Sequence, residues 1–195
     1  MIEIERKFAV TEEGKRRLTE GAEFVSEKTM TDTYYDTVDF QLTTKDRWLR
    51  LRDGKWELKE PLHALGFSKR AADQYRELIT EGEIRTALRL PAGQDIEADL
   101  AKTGYEPFAT IKTVRRKYKK EGFVIDLDVM DFGYEIGEIE LMVASEQEMD
   151  AAVARILEFG KENGLDLLPV RGKVLEFIHR FRPAHYAALE KSRLI

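Results

Sequence analysis

The chain has 195 residues, 43% of them apolar, with 32 Lys and Arg set against 37 Asp and Glu for a net charge of -5. This composition excludes collagen-like and disordered classes and argues against general nucleic-acid binding, and the length suits one domain, 1–195, with a proper core. The absence of cysteine rules out disulfides, thiolate nucleophiles and cysteine-held zinc or iron-sulfur groups, which fits a reducing cytosol.

The first predicted element is a strand, Ile2-Glu3-Ile4-Glu5-Arg6-Lys7-Phe8. Side chains alternate along a strand, so Glu3, Glu5 and Lys7 share one face while Ile2, Ile4 and Phe8 share the other. On an ordinary half-buried strand such a polar face meets water. Because a patterned strand stands at the N-terminus with no basic-then-apolar leader, and no stretch reaches membrane-spanning length, the expectation is a cytoplasmic protein with no membrane association. It is also expected to be a monomer.

Thr11 is placed to cap a short basic helix through Leu18, broken by Gly21. Phe24 to Tyr35 is rich in Val, Thr and Tyr and reads as a strand that turns at Asp36-Thr37. Trp48–Arg52 and Lys55–Lys59 then flank Asp53-Gly54, a strong hairpin signal. Within it Leu49, Leu51, Trp56 and Leu58 form the apolar face. Trp48 falls instead with Arg50 and Arg52, either as a ring that stacks on a ligand or as a rim residue covered by arginine stems.

Pro61 to Ala72 reads as a loop with a basic centre at Lys69-Arg70, and Tyr75 to Ile79 as a returning strand. Thr80 and Glu83 have capping-box spacing for a helix carrying Ile84, Ala87 and Leu88, and Pro91 stops it. A further helix is predicted from Gln94 to Lys102, ended by Gly104. Phe108 to Tyr118 is a basic strand containing Lys112, Arg115, Arg116 and Lys117, and Glu121-Gly122 turns it into Phe123–Val129.

In that next strand Asp126 and Asp128 share a face, and Gly137 to Leu141 repeats the pattern with Glu138 and Glu140. Ser145 and Glu148 suggest a second capping box before a helix with Met149, Val153, Ile156 and Leu157 on one side. The tail from Lys173 to Leu189 reads as a strand or helix followed by a final helix.

About eight strands joined by short turns, with about four helices, indicate an α+β fold built on an antiparallel barrel. If the helices cover the outside, the charged face of Glu3, Arg50, Lys59, Asp126 and Glu138 points inward. A dry interior of unpaired ions would cost several kcal/mol per ion. Water, a divalent metal and a polyanion would satisfy both signs. The alternative is an open amphipathic sheet with its charges in solvent. No phosphate-binding Gly-rich loop, His-Glu-x-x-His or Gly-x-Ser-x-Gly motif occurs, and His63, His179 and His185 lack metal-ligand spacing.

Glu3-Ile4-Glu5-Arg6-Lys7 resembles the Glu-x-Glu-x-Lys signature of the CYTH superfamily, the triphosphate tunnel metalloenzymes. Thr33–Thr37, Trp48–Arg52, Trp56–Lys59, Asp131–Tyr134, Gly137–Glu140, Gly172-Lys173 and His179–Pro183 look like the thiamine triphosphatase branch. The resemblance implies an eight-stranded antiparallel β-barrel, a triphosphate tunnel, with helices packed on the outside.

It further implies Glu3, Glu5, Asp126, Glu138 and Glu140 as metal-side acids, with Glu77 in support. The implied substrate-binding set is Lys7, Trp48, Arg50, Arg52, Lys59, Arg115 (or its neighbour Arg116) and Lys173. Of these, Lys59, Arg52 and Lys7 would be catalytic and Trp48 would stack the thiamine moiety. The implied cofactor is Mg2+ or Mn2+, as one or two ions. The implied reaction hydrolyses thiamine triphosphate to thiamine diphosphate and phosphate. Its alternatives are inorganic tripolyphosphate hydrolysis, adenylyl cyclase activity of the class IV type, and a non-catalytic polyphosphate-binding module.

Overall fold

The computed structural model describes residues 2–62 and 71–195; the predicted basic centre at Lys69-Arg70 and His63 lie outside them. Eight antiparallel strands close a barrel: β1 (Ile2–Phe8), β2 (Glu23–Asp36), β3 (Trp48–Arg52), β4 (Lys55–Pro61), β5 (Asp73–Leu78), β6 (Glu106–Lys120), β7 (Phe123–Met130) and β8 (Tyr134–Val143). Around the barrel they run β1-β5-β4-β3-β2-β6-β7-β8. The open amphipathic sheet is thereby excluded.

Tight turns follow from the residues predicted to make them. Asp53 and Gly54 have φ of 46° and 81°, and Glu121 and Gly122 have 53° and 84°, the left-handed pairs that suit a two-residue hairpin. The β1–β8 register sets Glu5 opposite Glu140 and Lys7 opposite Glu138, so acids and bases from separate strands meet on one face.

Six α-helices dress the barrel among the described residues: α1 (Glu12–Thr19), α2 (Glu81–Leu88), α3 (Ile96–Lys102), α4 (Met149–Glu162), α5 (Lys173–Phe181) and α6 (Pro183–Lys191). Thr11 Oγ1 accepts from Gly14 N–H at 3.0 Å, and Thr80 with Glu83 forms the full capping box. The second predicted capping box does not form. A single 3-10 turn, Glu146–Glu148, intervenes, and Ser145 Oγ instead donates to the Glu148 side chain at 2.8 Å. The tail is two helices, because Pro183 cannot continue the helical hydrogen bonds and opens α6 at its first position.

The outward faces carry the apolar cores. Ile4, Phe8, Ile125 and Ile139 pack under Ala152, Ile156 and Phe159 of α4 and Leu18 of α1, each large side chain contributing about 1.5–3 kcal/mol on burial. Leu49, Trp56 and Leu58 pack under Ile84 of α2 and Ile96 and Leu100 of α3. A further apolar cluster lies on the inward face. Tyr34, Ala109, Ile111, Met130 and Ile136 meet Val170, Val174 and Phe177, so α5 seals one end of the barrel. No helix among the described residues is long and apolar enough to cross a membrane.

Candidate active site: a charged tunnel

With the outer faces spent on helices, strand alternation turns the remaining side chains inward. They enclose a cavity of about 280 Å³ lined by Glu3, Glu5, Lys7, Trp48, Arg50, Arg52, Lys59, Glu77, Arg115, Glu138, Glu140 and Lys173. Every site residue expected from the sequence is here except Asp126, which lies just behind the lining beside Glu138 and Glu140.

The acids gather on β1, β7 and β8. Oxygens of Glu3, Glu5 and Glu140 lie within 4.8 Å of one another, as do those of Asp126, Glu138 and Glu140. Glu140 therefore belongs to both groups. Glu77 belongs to neither and instead faces Lys59 at 3.3 Å.

Cations interleave with these carboxylates. Lys59 contacts Glu3 and stands 3.7 Å from Glu5. Lys7 contacts Glu5 and reaches Asp73 at 2.7 Å. Arg115 forks onto Asp128 at 2.6 and 2.7 Å, donates to Glu138 at 2.8 Å, and also contacts Asp126. Arg116 points outward to Glu27 at 2.6 Å, so the tunnel-facing arginine of the pair is Arg115.

Three further cations come from β3 and α5. Arg50 donates to Glu57 at 2.8 Å, Arg52 to Asp32 at 2.6 and 3.0 Å, and Lys173 to Asp32 at 2.5 Å. Gly172, just before α5, lies close against the tunnel lysine of β1: a Cβ there would stand 3.0 Å from Lys7 Cε.

Burial pushes the Glu3 carboxyl up to about 6, with Lys59 pulling against it. Glu5 is also penalised by burial, but Lys59 and Lys7 overcome that and hold it well below the carboxylate range. Burial and then the neighbouring acids raise both Glu138 and Glu140. Burial disfavours charge on Lys7 and Lys59, yet Asp73 and Glu5 in one case and Glu3 and Glu5 in the other push them well above the usual lysine value.

The donor set suits a hard divalent cation. Its oxygens converge, three of its acids (Glu3, Glu138 and Glu140) are raised by burial and then by neighbouring acids, and Asp126 Oδ1 is buried with no hydrogen-bond partner among the described residues.

Trp48 is not a rim residue under arginine stems. Its ring is 6% exposed and packs with Tyr75, Leu175 and Ile178. Its Nε1–H donates to Asp46 Oδ1 at 2.8 Å, and the Tyr75 hydroxyl donates to the same oxygen at 2.8 Å. Asp46 holds this position with φ of 60°.

Sequence reasoning passed over Asp32, Asp46, Glu57, Asp73 and Lys117. Parity held the signal for Asp32, which is two residues from inward-facing Tyr34 and pairs across the sheet with Arg52. Lys117 lies two residues from Arg115 and is 3.0 Å from Asp126. His185 has no part in the tunnel: it is buried, stacks on Phe40 with ring centroids 4.0 Å apart, and meets Thr43 Oγ1 at 2.6 Å. His179 lies edge-on to Tyr186.

The CYTH domain model matches residues 1–167. The chain belongs to the CYTH family. It is 34% identical over 209 aligned residues to thiamine-triphosphatase of Macaca fascicularis, covering 97% of this chain and 89% of the relative. The figures for the human thiamine-triphosphatase are 34% over 208 residues, 97% and 89%. Among solved structures, a Pyrococcus horikoshii OT3 protein superposes with a TM-score of 0.67 at 20% identity, covering 91% of this chain and 99% of its own. A Pyrococcus furiosus protein does so at 0.62 and 23%, covering 87% and 94%. These two likenesses concern the fold. The CYTH match ends before α5, yet α5 supplies Lys173 to the tunnel.

Proposed function

We propose that this CYTH protein is a Mg2+-dependent triphosphatase that hydrolyses thiamine triphosphate to thiamine diphosphate and phosphate. The observation that carries this reading is the meeting of both charge signs in one tunnel: carboxylates that converge from β1, β7 and β8 with a spare buried oxygen, interleaved with Lys7, Lys59 and Arg115 and sharing the cavity with Arg50, Arg52 and Lys173. The thiamine part of the reading is supported by the 34% identity, across 97% of the chain, to proteins named thiamine-triphosphatase. Trp48, fixed by Asp46, offers the aromatic surface that a thiamine ring system would stack on.

Glu3, Glu5, Asp126, Glu138 and Glu140 would hold Mg2+, or Mn2+ in its place, as one or two ions, with Glu77 aiding through Lys59. A divalent ion there supplies charge neutralisation and a polarised water, which suits phosphoryl transfer, where positioning and electrostatics dominate. Arg50, Arg52, Arg115 and Lys173 bind and orient the phosphate oxygens, Arg by its planar fork and Lys as a point charge. Lys7, Lys59 and Arg52 neutralise the charge that develops on the transferred and departing groups. No covalent nucleophile is required.

In this reading residues 1–195 form one tunnel domain acting on a small molecule, as a cytoplasmic monomer that engages no nucleic acid or membrane. The contacts of Lys173 with Asp32, and of Leu175 and Ile178 with Trp48, support including the C-terminal helices.

The test is chromatography of the products formed from thiamine triphosphate, tripolyphosphate and ATP with Mg2+. Thiamine diphosphate formed with the highest kcat/KM supports the reading. A preference for tripolyphosphate removes the thiamine assignment, and cyclic AMP with pyrophosphate from ATP replaces hydrolysis by cyclisation.

A further inference from the structure

Asp32 sits within β2 and has no solvent exposure. Its Oδ1 accepts from Arg52 Nε at 2.6 Å, and its Oδ2 from Arg52 Nη2 at 3.0 Å and Lys173 Nζ at 2.5 Å. Arg50 Nε stands 3.8 Å from Oδ1. One buried carboxylate thus joins three cavity-lining cations that come from β3 and α5.

For a surface built only to attract a polyanion, this acid is out of place, since it cancels positive charge where phosphate would bind. What it provides is geometry. Each Arg or Lys side chain has rotamer entropy to lose when it is fixed, and the shared acceptor fixes Arg52 and Lys173 before any substrate arrives, while Arg50, held by Glu57, feels its charge at 3.8 Å. Burial pushes the Asp32 carboxyl up, but the Arg52 hydrogen bonds and the Lys173 and Arg50 charges hold it well below the carboxylate range, so it stays ionised in neutral solution.

We propose that Asp32 is a positioning residue of the triphosphatase site, fixing Arg52 and Lys173 toward the cavity and tempering their charge and that of Arg50 so that the ground state is not held too tightly. The inference rests on the triphosphatase reading of the cavity. Asp32→Asn keeps the shape and removes the charge. It leaves Arg52 and Lys173 looser and the three cations more positive in sum, which favours tight, poorly aligned binding.

The experiment measures kcat and KM for thiamine triphosphate and tripolyphosphate, per folded molecule by circular dichroism, in wild type and Asp32→Asn. The expected result is a kcat at least tenfold lower with a KM at least threefold lower. A purely structural aspartate would leave both constants of the folded fraction unchanged. Values within twofold of wild type, or an unchanged kcat with a raised KM, overturn the proposal. Should Asp32→Asn fail to fold, Asp32→Glu keeps the charge but displaces the carboxylate by one methylene. A fivefold lower kcat is then expected, and a wild-type kcat overturns the proposal. A wild type that cleaves no triphosphate overturns the activity itself, whereas an active wild type with an unchanged Asp32→Asn overturns this inference alone.

Discussion

Phe8 and Gly137 face each other across the β1–β8 seam, and the Phe8 ring occupies the space where a Gly137 side chain would be: a Cβ there would lie 2.0 Å from Phe8 Cζ. Neither ring nor strand has room to retreat, because Phe8 is fully buried in the core beneath α4. Gly137→Ala is therefore expected to destabilise by about 2–3 kcal/mol through overpacking, lowering Tm by roughly 5–10 °C for a domain of this size. A thermal melt within 2 °C of wild type would show that the seam relaxes freely.

The two acids that face each other at Glu5 and Glu140 differ in what they contribute to folding without metal. Glu5 is held ionised by Lys59 and Lys7, so at pH 7.5, above its unfolded value, its full contribution is present. Glu140 is raised by burial and by Asp126 and Glu138, so its charge opposes folding at that pH. In EDTA, Glu5→Gln is expected to lose about 3 kcal/mol, while Glu140→Gln holds or gains stability. Urea titrations giving the reverse order would refute this division of roles.

His185 predicts an acid-sensitive fold. Burial lowers its imidazole to about 4 from an ordinary 6.5, so the neutral ring stabilises the native state above pH 6.5, and that contribution is lost as pH falls from 6.5 to 4. The loss is roughly 2 kcal/mol after discounting for partial screening. Glu3, raised to about 6, acts in the opposite sense between pH 4.5 and 6, so the informative quantity is a difference between proteins. Relative to wild type, His185→Asn should show a flatter fall in urea midpoint over this interval; parallel curves would exclude the histidine as the source.

Trp48 separates recognition of an organic group from recognition of phosphate. Trp48→Leu is expected to lower kcat/KM for thiamine triphosphate about two- to tenfold more than for tripolyphosphate, since a stacked aromatic contact contributes about 0.5–1.5 kcal/mol. Equal losses on both substrates would mean that Trp48 serves only to pack against Tyr75 and α5.

Lys59 tests where the phosphate-side charge acts. Because it bridges Glu3, Glu5 and Glu77, Lys59→Met is expected to lower kcat by about 100-fold with a smaller rise in KM, the signature of a charge needed in the transition state. A raised KM with wild-type kcat would reassign it to ground-state binding.

Much of this site could be read from strand parity. Glu3-Ile4-Glu5, Arg50-Leu51-Arg52 and Asp126-Leu127-Asp128 declare a polar face at period two, and the hairpin around Asp53-Gly54 fixes the register that sets Arg50 opposite Glu57. Closure of the barrel, and hence which way those faces point, depends on β1 pairing with both β5 and β8, which no local pattern encodes. Asp32 and Asp73 are harder to see because neither stands two residues from another acid as Glu3 and Glu5 do, and each has significance only through partners 20 and 66 residues away. The plug formed by α5 was also hidden: Ile111 and Met130 look like any core residues until Val174 and Phe177 cover them.

The converging carboxylates of the tunnel would hold a metal needed for hydrolysis of a triphosphate. The most direct measurement is phosphate release from thiamine triphosphate by wild type and Glu140→Gln, each with Mg2+ and with EDTA. Wild-type turnover should vanish in EDTA and return with added Mg2+, and a folded Glu140→Gln should lose at least 100-fold. Turnover that survives EDTA, or near-wild-type turnover in Glu140→Gln, would contradict that role.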